Sequence, residues 1–252
     1  MESFISLMPW VLFPAVLAGF VQSVTGFGAG IIIMIFLPFV LPVLQASSLT
    51  QGMLIFLNLM IFYRYRKHVN WKILILPLAF YFPVYFVALT AAIRIQAEFL
   101  KPVLGIFLIL LSIYFIFYAG KITIRASTLT AFVCAALSAI IDAFFGMGGP
   151  PMVIYILAIT RSKEEYLGTL QVYFSVCVLY GVTMRILKGQ ITASMIPLIL
   201  CGILALTVGV LIGNRVVDRI DADTMKKFVY GVIGLSGVIA FVTSLPSIYV
   251  LL

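Results

Sequence analysis

Two glycine-rich motifs hold most of the residues in this sequence that could do chemistry. The first is Gly26-Phe27-Gly28-Ala29-Gly30, and the second is Gly146-Met147-Gly148-Gly149-Pro150-Pro151. Glycine permits positive φ and a close approach of backbone to ligand, and proline suits the first turn of a helix. The motifs therefore predict breaks in apolar helices, with new helix N-termini near Gly30 and Gly149. Backbone N–H groups at such N-termini can bind an anion.

Asp142 is an acidic residue inside an apolar run, four residues before Gly146. An ionised carboxylate at that depth costs about 2.5–3.5 kcal/mol on insertion scales, so we expect Asp142 to be neutral or well partnered. We predict that it binds and releases a proton. The alternative is a helix cap or a polar staple near a membrane face.

Amide and hydroxyl groups in otherwise apolar runs can ligate an oxyanion together with the glycines. The predicted ligand-binding residues are Gln22, Thr25, Gly26, Gly28, Gly30, Gln51, Gly146, Gly148, Gly149 and Gln171. The alternative roles are close helix packing for the glycines and interhelical hydrogen bonding for the glutamines. We interpret Arg185 and Lys188 as anchors at a helix end rather than as a mouth that attracts anions.

The elements that position these residues are predicted to be membrane-spanning helices. The 252 residues are 64% hydrophobic and 10% charged, whereas soluble domains carry about 25% charged residues. Runs free of Asp, Glu, Lys and Arg extend over 3–63, 73–93, 102–120, 166–184, 189–214 and 228–252. Each is long enough to cross a bilayer. The chain is therefore predicted to be an all-α polytopic membrane protein, which excludes a soluble enzyme or a secreted disulfide scaffold.

Composition also argues against enzymatic, cofactor and nucleic-acid functions. HExxH, paired intramembrane acids and a Ser/His arrangement are missing, so we predict that the protein is not an enzyme. The three cysteines stand singly without CxxC spacing, and we predict neither a metal site nor a cofactor. The net charge of +8 is interpreted as a record of membrane topology rather than of nucleic-acid binding.

The two motifs belong to a sequence repeat. A shift of 120 residues aligns them and pairs Gln22 with Asp142 and Gln51 with Gln171. This pattern predicts an N-terminal repeat over 1–125 and a C-terminal repeat over 126–252, in one membrane unit. Each repeat consists of a Gly-broken segment, either a re-entrant hairpin or two short helices, followed by three transmembrane helices.

Charge distribution favours repeats of inverted topology. If each broken segment crossed the membrane once, the 16 Lys and Arg residues would divide evenly between the two sides. If each broken segment returns to its own side, one side holds all but Arg94, Lys101, Arg185 and Lys188. Because cytoplasmic loops are rich in Lys and Arg, we expect the second arrangement, with both termini outside.

Inverted repeats with helices broken near the midplane are typical of secondary transporters. With its two glycine-rich breaks, nearly the whole chain resembles the TauE/SafE family of sulfite-exporter-like membrane transporters. The resemblance implies a bacterial or archaeal inner-membrane carrier for sulfite, sulfonates or related organosulfur anions, driven with help from the proton gradient. Its partners would be the anion, protons and the lipid bilayer. A passive anion channel, or a carrier for a different small organic anion, is the alternative.

Overall fold

The computed structural model describes residues 2–117, 125, 127–216 and 242. In this part of the chain all regular structure is helical, which confirms the predicted all-α class. The α-helices are α1 (Glu2–Thr25), α2 (Ala29–Phe36), α3 (Val43–Tyr65), α4 (Trp71–Arg94), α5 (Ala97–Phe117), α6 (Thr128–Phe145), α7 (Gly149–Ile159), α8 (Lys163–Leu187) and α9 (Ile196–Val216). The span expected over 228–250 lies outside the described residues except for residue 242.

Seven of these helices are long and apolar enough to cross a membrane, namely all but α2 and α7. Many large apolar side chains point outward from them, among them Phe13, Ile75 and Leu204, which are 63%, 70% and 68% exposed. In a bilayer such side chains contact lipid tails. The protein is therefore a multi-pass membrane protein.

Both predicted breaks are present at the glycine motifs. Gly26 and Gly28 have φ values of 81° and 101°, and Gly146 has a φ of 66°, a region that side chains other than glycine rarely adopt. After each break the chain reverses, since α2 packs against α1 and α7 packs against α6. The Ser138 hydroxyl donates a hydrogen bond to the carbonyl oxygen of Gly148, ten residues later. Each broken segment is thus a hairpin of one long helix and one short helix.

Helices α3 and α8 pack against each other at the centre of the fold and run antiparallel. Near the start of α3, Ser48 accepts a hydrogen bond from Arg185 near the end of α8. Near the end of α3, the Tyr65 carbonyl oxygen lies beside Gly168 in the first turns of α8. Around this pair, α1 packs against α9 and α4 against α6. The first hairpin contacts α3 through α2, and the second hairpin contacts α3 through α6 and α8 through α7.

Gly209→Ala is expected to destabilise the protein by at least about 2 kcal/mol, because overpacking at a close helix contact forces backbone to move. A methyl group on Gly209 of α9 would lie 2.0 Å from the Val16 carbonyl oxygen of α1. Thermal unfolding of the purified protein in detergent measures the effect. Val208→Ala is the control, since Val208 is the preceding residue and is 49% exposed. Equal stability of the two variants would show that this contact is not tight.

Candidate functional site

The two glycine breaks meet inside the protein. A methyl group on Gly30 would lie 2.8 Å from the Gly146 carbonyl oxygen, so the hairpins touch backbone to backbone. Beside this contact is a cavity of about 50 Å³. The predicted site residues on its wall are Gln22, Gly28, Gly30, Asp142, Gly146, Gly148 and Gly149. The structure thus brings together residues from both motifs.

The remaining predicted residues lie beside the cavity or are not described. Gln51 and Gln171 are fully buried and donate hydrogen bonds to Asp142 and to the Gly26 carbonyl oxygen, respectively. Gly26 is not on the cavity wall, but through Gln171 it belongs to the hydrogen-bonded layer around the cavity. The side chain of Thr25, which was also predicted to bind the ligand, is not among the described ones.

The long helices contribute further residues to the cavity wall from their middle turns. Leu54 lies at the centre of α3, Tyr81 near the centre of α4, and Cys177 near the centre of α8. Since each of these helices is long enough to span a bilayer, the cavity is at mid-depth in the fold.

Asp142 caps the second break. Its buried carboxylate accepts hydrogen bonds at Oδ1 from Gln51 Nε2 at 2.7 Å and from the Gly148 N–H at 3.1 Å. Its Oδ2 accepts a hydrogen bond from the Tyr81 hydroxyl at 2.5 Å. A carboxylate at the N-terminus of α7 is favourable, because N-terminal N–H groups carry partial positive charge. Asp142 is therefore well partnered, as expected, and it binds the N–H of Gly148, the residue just before α7; its role with protons stays a prediction.

Arg185 is not the exposed helix-end anchor that the sequence suggested. Its side chain is fully buried, and it donates to the carbonyl oxygens of Asp142 and Ala143 in the last turn of α6, at 3.2 and 2.7 Å. It also donates to the Ser48 hydroxyl at 2.7 Å and to the Tyr85 hydroxyl at 3.1 Å. A cation at a helix C-terminus is favourable. Arg185 thus stabilises the end of α6, just before the second break.

At the first break too, one side chain accepts an N–H at the start of the short helix and another donates to a carbonyl oxygen at the end of the long helix. Here both side chains are neutral amides. Gln22 Oε1 accepts the Ala29 N–H at 3.1 Å, at the start of α2, and Gln22 Nε2 donates to Asn58 Oδ1 at 3.2 Å. At the end of α1, Gln171 Nε2 donates to the Gly26 carbonyl oxygen at 2.8 Å. One hairpin is therefore held by amides, and the other by an acid and a guanidinium group.

The two short helices also present different N-termini to the cavity. In α2, the N–H groups of Gly30 and Ile31 have no acceptor within the helix, and both residues line the cavity. In the first turn of α7 only Gly149 can donate an N–H, because Pro150 and Pro151 have none, and the Gly148 N–H just before it is already bound to Asp142. The start of α2 is therefore the more open anion-binding position.

Several buried polar atoms in the described residues lack hydrogen-bond partners. They are the amide oxygens of Gln51 and Gln171, the hydroxyl of Tyr173 and the hydroxyl of Ser175. Buried polar atoms are rarely left unpaired, so such atoms indicate positions for water or a ligand. Tyr173 lines the cavity, which places one of these atoms at the candidate site.

Comparison with known proteins identifies the family. Residues 11–240 match the family described as "Sulfite exporter TauE/SafE". The chain belongs to this family. The match begins within α1 and covers both glycine motifs and helices α2 to α9, and it confirms the resemblance seen in the glycine motifs. It also indicates that the cavity belongs to a membrane transporter.

A curated relative of this TauE/SafE protein is a "Probable membrane transporter protein" of Methanocaldococcus jannaschii. The two sequences are 28% identical over 174 residues. The match covers 63% of this chain and 64% of the relative, which is slightly less than two thirds of the relative's length. No solved structure matches the chain.

Proposed function

We propose that the protein is a secondary transporter that moves small sulfur-containing anions, such as sulfite, sulfonates or related organosulfur anions, by alternating access. The observation that carries the proposal is the cavity at mid-depth, where two broken helices meet beside a buried carboxylate. Family membership supports the transporter role, and the family description supports the sulfur-anion class. Asp142 is the proposed proton-coupling residue.

We propose that the chain is built from two inverted repeats, 1–125 and 126–252. By the shift of 120 residues, α1 corresponds to α6 and α9 corresponds to α4. The structure has both the α1–α9 contact and the corresponding α6–α4 contact. The amides also cross between halves: Gln51 of the first half binds Asp142 of the second, and Gln171 of the second binds Gly26 of the first. The antiparallel α3 and α8 are the related pair at the centre, which supports opposite orientations of the halves.

The proposed location is the inner membrane of a bacterium or an archaeon, with both termini outside. The burial of Arg185 removes one positive charge from the side assigned to the exterior. That side then keeps Arg94, Lys101 and Lys188. The change increases the charge asymmetry, which supports a cytoplasmic position for the Lys- and Arg-rich loops.

Cavity size favours a compact ligand. Sites for drug-sized molecules measure about 300–1,000 Å³, whereas this cavity measures about 50 Å³. Such a space suits a small oxyanion and its closest waters. A passive anion channel or a carrier for another small organic anion is the competing function, and transport kinetics distinguish them.

The proposal is tested by proton flux in proteoliposomes that contain a pH-sensitive dye. Sulfite, taurine and sulfoacetate are offered under an imposed pH gradient, with a carboxylate as the comparison anion. Anion-dependent proton flux that saturates is expected from the wild-type protein. Asp142→Asn should abolish this proton flux and leave exchange of labelled anion, because asparagine does not titrate.

Glu98→Gln is the matched control, since Glu98 is an exposed acid on α5. It should keep the wild-type flux. Flux that rises linearly with anion concentration, with no counterflow, would favour the channel. Proton flux retained by Asp142→Asn would remove Asp142 from the coupling mechanism, and a preference for the carboxylate would overturn the sulfur-anion class.

A further inference from the structure

The side chain that accepts a backbone N–H where the short helix begins differs between the two hairpins. Gln22 and Asp142 are 120 residues apart, and each accepts a backbone N–H at the start of the short helix that follows it. In the first hairpin the acceptor is a neutral amide, and in the second it is a carboxylate. In the second hairpin the Asp142 carboxylate thus takes the place that the Gln22 amide takes in the first.

Asp142 and the open N-terminus of α2 face the same cavity. Asp142, Gly30 and Ile31 all line it, and so does Tyr173, whose buried hydroxyl lies beside Ser138 and Cys177 but makes no hydrogen bond of ordinary geometry within the described residues. An anion in this cavity would accept the N–H groups of Gly30 and Ile31 and the Tyr173 hydroxyl. It would also lie close to the Asp142 carboxylate, and two negative charges repel strongly at short range away from water.

We propose that the Asp142 carboxylate is an internal competitor of the transported anion. When ionised, it holds the Gly148 N–H and the Gln51 amide and repels an anion at the start of α2. When protonated, it is neutral, and its hold on these donors weakens. The anion and one proton then bind together, which makes the protein a proton–anion symporter. This inference rests on the proposed transport function and specifies how the proton and the anion are coupled.

Other titratable groups surround the Asp142 carboxylate. They are the hydroxyls of Tyr81 and Tyr85 on α4 and the side chains of Tyr173, Cys177 and Arg185 on α8. From α3 and α7 the contacts are the Gln51 amide and the Gly148 N–H, which do not titrate. Phenol, thiol and guanidinium groups ordinarily titrate above about pH 8. A pH dependence of binding below that value therefore reports on Asp142.

The test is calorimetric binding of methanesulfonate to the full-length purified protein at acidic and at alkaline pH. A sulfonate stays ionised over this range, so only the protein titrates. The wild-type protein should bind more weakly at alkaline pH, by at least about tenfold. Asp142→Asn should bind equally at both pH values, with the affinity that the wild-type protein has at acidic pH.

Gln22→Glu is the reciprocal variant, because it places a second carboxylate at the start of α2. It should weaken binding further at alkaline pH while acidic pH restores it. A measurement on the wild-type protein alone makes the test independent of variant folding: binding at alkaline pH should take up protons from solution, so the heat should depend on the buffer's ionisation enthalpy.

The outcomes separate this inference from the proposed function. If anions drive saturable proton flux but wild-type binding is independent of pH and releases no buffer heat, the competition is overturned and the transport function stands. The hypothesis of competition is also overturned if, at alkaline pH, the Asp142→Asn variant binds methanesulfonate no more tightly than the wild-type protein does. If methanesulfonate does not bind, and sulfite, taurine and sulfoacetate drive no flux, the proposed function falls and the inference falls with it.

Discussion

Replacing Arg185 by methionine is expected to abolish transport and to lower the free energy of unfolding by about 3–5 kcal/mol, as removal of one partner from a buried charged cluster does. Methionine keeps much of the length of the side chain and removes all its donors. The carbonyl oxygens of Asp142 and Ala143 and the hydroxyl of Ser48 would lose their contacts with Arg185. Asp142 would also lose the electrostatic attraction of the Arg185 guanidinium. Thermal unfolding in detergent and anion uptake in proteoliposomes measure the two effects.

Two further variants show whether geometry or charge is responsible. Arg185→Lys keeps the charge but has a single donor group, so it cannot reach acceptors on α3, α4 and α6 together. It should recover part of the stability and little of the transport. Arg94→Met, an exposed cation at the end of α4, should change stability by less than about 0.5 kcal/mol. If the Arg185→Met variant is as stable as the wild-type protein and takes up as much anion, the buried guanidinium is not required for stability or for transport.

The helical class, the positions of the two breaks and the motif residues of the cavity wall could be predicted from the sequence. Apolar runs predict membrane-spanning helices because each run, as a helix, is long enough to cross the hydrocarbon core of a bilayer. Glycine reports on the breaks because positive φ excludes most other residues, as at Gly26 and Gly28. Both signals depend only on nearby residues, so they can be recognised without knowledge of the tertiary structure.

Arg185 and Tyr81 could not be predicted as site residues, because their roles depend on contacts far along the chain. Arg185 is two residues from the end of α8, a position typical of an interfacial anchor. It is buried because the end of α6 packs beside it, 42 residues earlier in the sequence. Tyr81 contributes one hydroxyl to Asp142 from 61 residues away. The pairing of Gln22 with Asp142 by the repeat was a usable signal, since it singled out the asymmetry between the hairpins.

Gly148→Ala is expected to lower anion uptake more than about tenfold, an effect that corresponds to about 1.4 kcal/mol at the site. The motif alone suggests that a large side chain here would fill the cavity. The structure shows that a methyl group is already too large, since it would lie 2.4 Å from the Ser138 carbonyl oxygen and 2.7 Å from Asp142 Cβ. The φ of Gly148 is −66°, so steric overlap with α6 is the whole cause. The start of α7 must shift, and the Gly148 N–H then leaves the Asp142 carboxylate.

The neighbouring glycine provides the control for this effect. A methyl group on Gly149 would meet only the end of the Phe174 ring, at 3.3 Å, and that side chain can turn aside. Gly149→Ala should therefore reduce uptake much less than Gly148→Ala, with both measured at equal amounts of folded protein. Equal losses would mean that the cavity surface matters more than the contact between α7 and α6. Full uptake by folded Gly148→Ala would mean that the hairpin can open at its tip without loss of function, because the Gly148 N–H could not stay on Asp142.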